Sequence, residues 1–173
     1  FVAAVVLLTA WVLNARRQTD PMLDPALFTI PRFGLASLTI TASFAVMFGM
    51  FFGLAQYLQF VMGHSPLNTS LRVIPFAVGM VAIAPRGPRL VERFGAGKVM
   101  GSGLLLAASG CIVMSLLSAS SPYLHVLAGI IMLSSGMAMT FPTATTAIVG
   151  SLPLDKAGVA SAVNDTTREV GAA

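Results

Sequence analysis

Ser161, Asn164, Asp165, Arg168 and Glu169 stand close together near one end of the chain. Spacings of three and four put Ser161, Asn164, Asp165 and Arg168 on one face of a helix, with Asp165 and Arg168 placed to pair at i,i+3. Such a stripe could line a cavity in which carboxylates exchange protons. It could equally be a solvated first turn or two, where acids favour a helix N-terminus. Counted from Ala157, Asp165 is only about 12 Å along the helix axis. Arg72 is the second charge set among apolar residues. It could meet an anion, pair across a bundle, or snorkel to lipid head groups. Gln56 and Gln59 could hydrogen-bond across helices or to a substrate. Gly49 and Gly53 form a GxxxG pair that predicts close helix approach.

Patterns for other chemistry are absent. His64 and His125 are not at ligand spacing, Cys111 is a lone thiol in an apolar run, and no GxSxG, HExxH or P-loop occurs. No metal site, catalytic residue or ATP site is expected.

The elements that must position these residues are apolar. Charged residues are 9% of the 173 and hydrophobic residues 56%; ordinary soluble domains carry about 25% charged residues. Too little polar surface is available to cover a soluble globule. The expected fold is all-α, a polytopic transmembrane helix bundle. No Lys, Arg, Asp or Glu occurs from Phe33 to Leu71, nor from Val99 to Leu154. The second stretch would make a helix of about 84 Å, so it must be two, broken at Ser118–Pro122. Expected spans lie near 1–13, 34–62, 67–85, 99–118, 123–149 and 157–173: four full and two partial. Pro75 should sit in the first turns of its helix, and Pro142 should kink the fifth segment. Residues 85–98 read as a polar, basic loop. The first residue is Phe1, not Met, inside an apolar run, and the chain closes on Gly171-Ala172-Ala173. Both ends read as helices cut in mid-span, so a longer intact polypeptide is expected.

Net charge is +4. Eight of the ten Lys and Arg fall in alternate loops: Arg16, Arg17 and Arg32, then Arg86, Arg89, Arg93 and Lys98, then Lys156. This bias orients a membrane protein rather than binding nucleic acid, and it predicts that loops 14–33, 86–98 and 150–156 face the cytoplasm. The turns at 63–66 and 118–122 then face outward.

Several segments resemble one family. Leu90-Val91-Glu92-Arg93-Phe94-Gly95 is similar to the cytoplasmic loop signature G-x-L-x-D-R-x-G-R-K of the major facilitator superfamily. Leu90, Arg93 and Gly95 match, Glu92 stands in for the acid, and Pro88, Ala96 and Gly97 depart from the pattern. Ser135–Thr143 (SGMAMTFPT) resembles the glycine-rich, proline-kinked helix of EmrB/QacA-type 14-helix drug:proton antiporters. Gly158–Gly171 resembles the start of their penultimate helix, and Arg16 to Phe33 the link after their eighth. The resemblance implies an incomplete major-facilitator bundle, running from the end of helix eight to the start of helix thirteen. It implies an exporter of hydrophobic, often cationic compounds in the cell membrane, using no cofactor and driven by a proton gradient. Its partners would be small-molecule substrates, protons, the lipid bilayer and the N-terminal half of the same polypeptide. Glu92, Arg93 and Gly95 would carry the gating loop. Asn164, Asp165, Arg168, Glu169, Gln56 and Arg72 are candidates for a proton or substrate pathway, with Pro142 as the helix kink. A permease for one metabolite is the near rival; an integral-membrane enzyme or a non-transporting membrane protein is more distant.

Overall fold

A computed structural model describes residues 6, 9–10, 14, 25–153 and 156–173. Most of the expected partial span over 1–13 and of the link at 14–33 lies outside the described residues. A short 3-10 turn, Pro25–Thr29, leads into α1, Pro31–Gln56, which continues as a π turn over Tyr57–Val61. Then follow α2, Pro66–Ile83; α3, Gly87–Phe94; α4, Ala96–Ser115; α5, Tyr123–Val149; and α6, Ala157–Ala172. Among the described residues the elements are all helical. Helices are what unbroken apolar runs must form in lipid, because every backbone N–H and C=O then finds a partner within its own segment. Four stretches are long and apolar enough to cross a membrane: Pro31–Val61, Pro66–Phe94, Ala96–Ser115 and Tyr123–Val149.

Local signals set the helix ends. Pro31 and Pro66 occupy first-turn positions, where no N–H is needed. Ser65 caps α2 by accepting from the Asn68 N–H at 3.4 Å. The break between α4 and α5 is held by Ser118 N–H donating to Ser121 Oγ at 2.9 Å.

Two sequence expectations fail here. Residues 85–98 are not an open loop: Ala84–Arg86 form a 3-10 turn and Gly87–Phe94 form α3. Pro88 fits the first turn of α3, and Leu90 and Val91 give it an apolar side that is half-buried, while Arg89, Glu92 and Arg93 are exposed. Only Gly95, at φ 84° and ψ 149°, separates α3 from α4; this backbone region is open to glycine alone. Pro75 is not in the first turns of its helix either, since α2 begins at Pro66 and places it in the middle.

α5 is the central helix. It packs on α4, α2, α1 and α6, and its pairing with α4 is the most extensive. Gly103, Ala107, Gly110 and Met114 of α4 face Gly129, Leu133, Gly136 and Thr140 of α5. A Cβ at Gly110 would stand 2.7 Å from the Leu133 nitrogen, and one at Gly136 would strike the Gly103 carbonyl oxygen. Hydrogen side chains let the two backbones touch, which is how helices associate when lipid removes the hydrophobic drive. By contrast, a Cβ at Gly49 or Gly53 would meet nothing within 4 Å. The GxxxG pair therefore makes no close approach among the described residues.

Phe33, Ala36 and Ile40 of α1 join Ala144, Ala147 and Ile148 of α5 and Ala160 and Val163 of α6 in one buried cluster. Leu54, Leu58, Met114, Val126 and Ile130 form a second at the other end of the bundle. Elsewhere large apolar side chains point outward: Phe60 is 81% exposed, Leu105 75% and Val81 74%. Such surfaces suit lipid or further transmembrane chain, not water.

Candidate functional site

The polar residues of α6 meet a single hydroxyl of α5. Thr145 lies one turn past Pro142, on a helix whose other threonines bond their own backbone: Thr143 Oγ1 donates to the Met139 carbonyl at 2.7 Å and Thr146 Oγ1 to that of Pro142 at 2.8 Å. Thr145 instead reaches across. Its Oγ1 accepts from Arg168 Nη2 at 3.0 Å and donates to Asn164 Oδ1 at 3.2 Å. Asn164 Nδ2 donates in turn to Asp165 Oδ1 at 3.4 Å. The four side chains make one donor-to-acceptor chain, Arg168 to Thr145 to Asn164 to Asp165, with its cationic end against α5 and its anionic end exposed.

The i,i+3 pair expected between Asp165 and Arg168 is not formed. Arg168 is half-buried, its guanidinium directed to Thr145 and lying 5.6 Å from the centre of the Phe44 ring on α1. Phe44 packs on Phe141 of α5 with ring centres 4.8 Å apart. Arg168 Nε is buried without a hydrogen-bond partner among the described residues. Asn164 is 5% exposed, Asp165 and Glu169 are exposed, and Ser161 is exposed on the same helix. α6 seats against α1 through Gly171, where a Cβ would strike the Thr41 carbonyl oxygen. This close seat is what carries Arg168 to the Phe44 ring.

A second feature lies around α3. A cleft of about 250 Å³ is lined by Arg32 of α1, Glu92 and Val91 of α3, and Pro142, Thr143 and Thr146 of α5. Glu92 and Arg32 thus face one space from different helices. Arg93 turns away, its guanidinium 5.3 Å from the Phe94 ring centre. Gly95 closes α3, its N–H donating to the Val91 carbonyl at 2.8 Å. Pro142 leaves the Ala138 carbonyl without its usual helix donor, at the wall of this cleft.

The remaining candidates lie toward the opposite end. Arg72 is not free: its guanidinium is 4.5 Å from the centre of the Tyr123 ring, and Tyr123 Oη donates to the Arg72 carbonyl at 2.7 Å. The pair ties α2 to α5. Gln56 is exposed at the end of α1 and is not brought to the α5–α6 network. The sequence thus pointed to Asn164, Asp165 and Arg168, but it missed Thr145, Phe44 and Arg32. Thr145 carried one signal, a hydroxyl on an apolar helix just after a proline. Arg32 reads in the sequence only as an orienting loop charge, and Phe44 carried no signal, because only the packing of α1 brings them in.

The whole chain, residues 1–173, matches the sequence pattern of the Major Facilitator Superfamily. It is 32% identical to the multidrug resistance protein Stp of Mycobacterium tuberculosis over 156 residues, covering 90% of this chain and 29% of that protein. It is 30% identical to the multidrug efflux pump LfrA of Mycolicibacterium smegmatis over 172 residues, covering 99% of this chain and 34% of the pump. It is 32% identical to the cephamycin export protein CmcT of Amycolatopsis lactamdurans over 173 residues, covering 98% of this chain and 35% of that exporter. The chain spans about a third of the length of these curated relatives. A match from the first residue to the last, on a bundle of membrane-length helices, has one meaning: this chain is part of a multi-pass membrane protein and belongs to the Major Facilitator Superfamily.

Proposed function

We propose that the intact protein is a proton-coupled exporter of drugs or other small hydrophobic or cationic compounds, working by alternating access in the cell membrane. This chain would form the run from the end of helix eight to the start of helix thirteen of a 14-helix protein. Resemblance to relatives named for drug resistance and export supports the cargo class. The observation that carries the coupling is the hydrogen-bonded chain from Arg168 to Asp165. When Asp165 takes up a proton, its oxygen becomes a poorer acceptor for Asn164. The change passes through Asn164 to Thr145, and so to the hold on Arg168. A proton on α6 and a cation at the α5–α6 junction then sense each other across two helices.

Glu92, Arg93 and Gly95 form the gate in this reading, at the end of the bundle that the basic residues assign to the cytoplasm. α3 turns on Gly95, and Glu92 faces the cleft that contains Pro142. Membrane vesicles carrying the intact protein test the proposal. An imposed pH gradient should drive accumulation of a fluorescent efflux substrate such as ethidium, and collapsing the gradient should stop it. Movement indifferent to the gradient would refute proton coupling, and no movement of any compound in a broad panel would refute export.

A further inference from the structure

Arg168 holds more positive charge than its surroundings answer. It lies eleven residues from the start of α6, roughly 16 Å along the axis. A half-buried guanidinium is costly without a counter-ion. Among the described residues its neighbours are a neutral hydroxyl and an aromatic face. Asp165, three residues earlier, turns its oxygen to Asn164 instead, and Glu169, next in sequence, is exposed and forms no ion pair with Arg168 among the described residues. Arg168 Nε is buried, and neither it nor Nη1 makes a hydrogen bond to a described residue.

The site is nevertheless built. Thr145 cannot swing freely, because it accepts from Arg168 while donating to Asn164. The guanidinium is therefore held in place before any ligand arrives, which lowers the ordering cost of binding. Beside it the Phe44 and Phe141 rings present an apolar wall. We propose that Arg168, fixed by Thr145 against the Phe44–Phe141 pair, is a subsite for the carboxylate of an aromatic acid. The planar guanidinium matches a planar carboxylate through paired N–H donors, and the rings take the aromatic body. This rests on the exporter reading and adds acids to its cargo.

The test uses the intact protein in detergent and isothermal calorimetry with 2-naphthoate and its neutral amide, 2-naphthamide. The acid should bind about tenfold more tightly, as expected for a hydrogen bond to a charged group. In Arg168→Gln the acid-to-amide ratio should fall toward one. Thr145→Val keeps the charge but removes its anchor, so the ratio should fall several-fold there too. A native ratio near one overturns the proposal, and so does a ratio unchanged in Arg168→Gln. If a carboxylate elsewhere in the polypeptide already neutralises Arg168, the native ratio is near one and Arg168→Gln lowers the melting temperature; that outcome also overturns it. Selective binding of the acid with no gradient-driven movement in vesicles would refute export and leave the subsite standing.

Discussion

Thr145 bridges two helices with one hydroxyl, so its removal should separate effects that Arg168 and Asp165 share. In Asp165→Asn the acceptor persists but the proton-binding group is gone. Substrate accumulation by vesicles should then lose most of its dependence on the imposed pH gradient; an unchanged dependence would return Asp165 to a solvated, structural role. Tyr123→Phe removes only the hydrogen bond to the Arg72 carbonyl and leaves the ring under the guanidinium. A loss of about 1 kcal/mol is expected, read as a small drop in melting temperature. The sequence made Asn164, Asp165 and Arg168 visible because polar residues at helical spacing are conspicuous after long apolar runs. It could not say what Arg168 would touch. Spacing favoured Asp165, but α6 seats so closely on α1 and α5 that the guanidinium reaches Phe44 and Thr145 first.

Between helices, contact is decided by the absence of side chains. Gly136→Val would drive a branched side chain into the Gly103 carbonyl and the Ala107 backbone. It should destabilise the intact protein by about 2 kcal/mol or more, measured by thermal unfolding in detergent. Gly49→Ala should cause little or no loss of stability, since no described residue lies within 4 Å of a Cβ at that position. Both glycines belong to small-residue motifs, and sequence cannot separate them; only the partner helix shows which face is used. The same limit explains α3. A basic, proline-containing stretch reads as a loop, yet its apolar residues find a surface on α5, and Gly95 allows the turn that follows. Gly95→Ala should cost about 1–2 kcal/mol, because its φ lies where a Cβ is disfavoured.

At the scale of the whole molecule the sequence was most informative, because lipid admits few architectures. Unbroken apolar runs fix helices, their lengths fix crossings, and the four motifs in register fix the family. Orientation and gating belong to this scale too. In a variant of the intact protein whose sole cysteine is introduced by Arg89→Cys, a membrane-impermeant maleimide should label only after the membrane is permeabilised; labelling of sealed cells from outside would invert the bundle. Arg93→Ala should impair export while leaving insertion and expression intact, as measured by vesicle transport beside quantitative blotting. Normal export by that variant would remove Arg93 from the gate.

The backbone contact between α4 and α5 has a consequence for how the protein is made. These helices are neighbours in sequence, joined by a turn, and each supplies the other's most extensive partner. Nothing from α1, α2 or α6 is needed for Gly103 and Gly110 to meet Gly129 and Gly136. As the nascent polypeptide enters the bilayer, this hairpin can lock as soon as α5 has left the ribosome, before α6 has followed it out. Local pairing of this kind is fast. The later arrival, α6, then docks its Arg168 onto a Thr145 that is already in position.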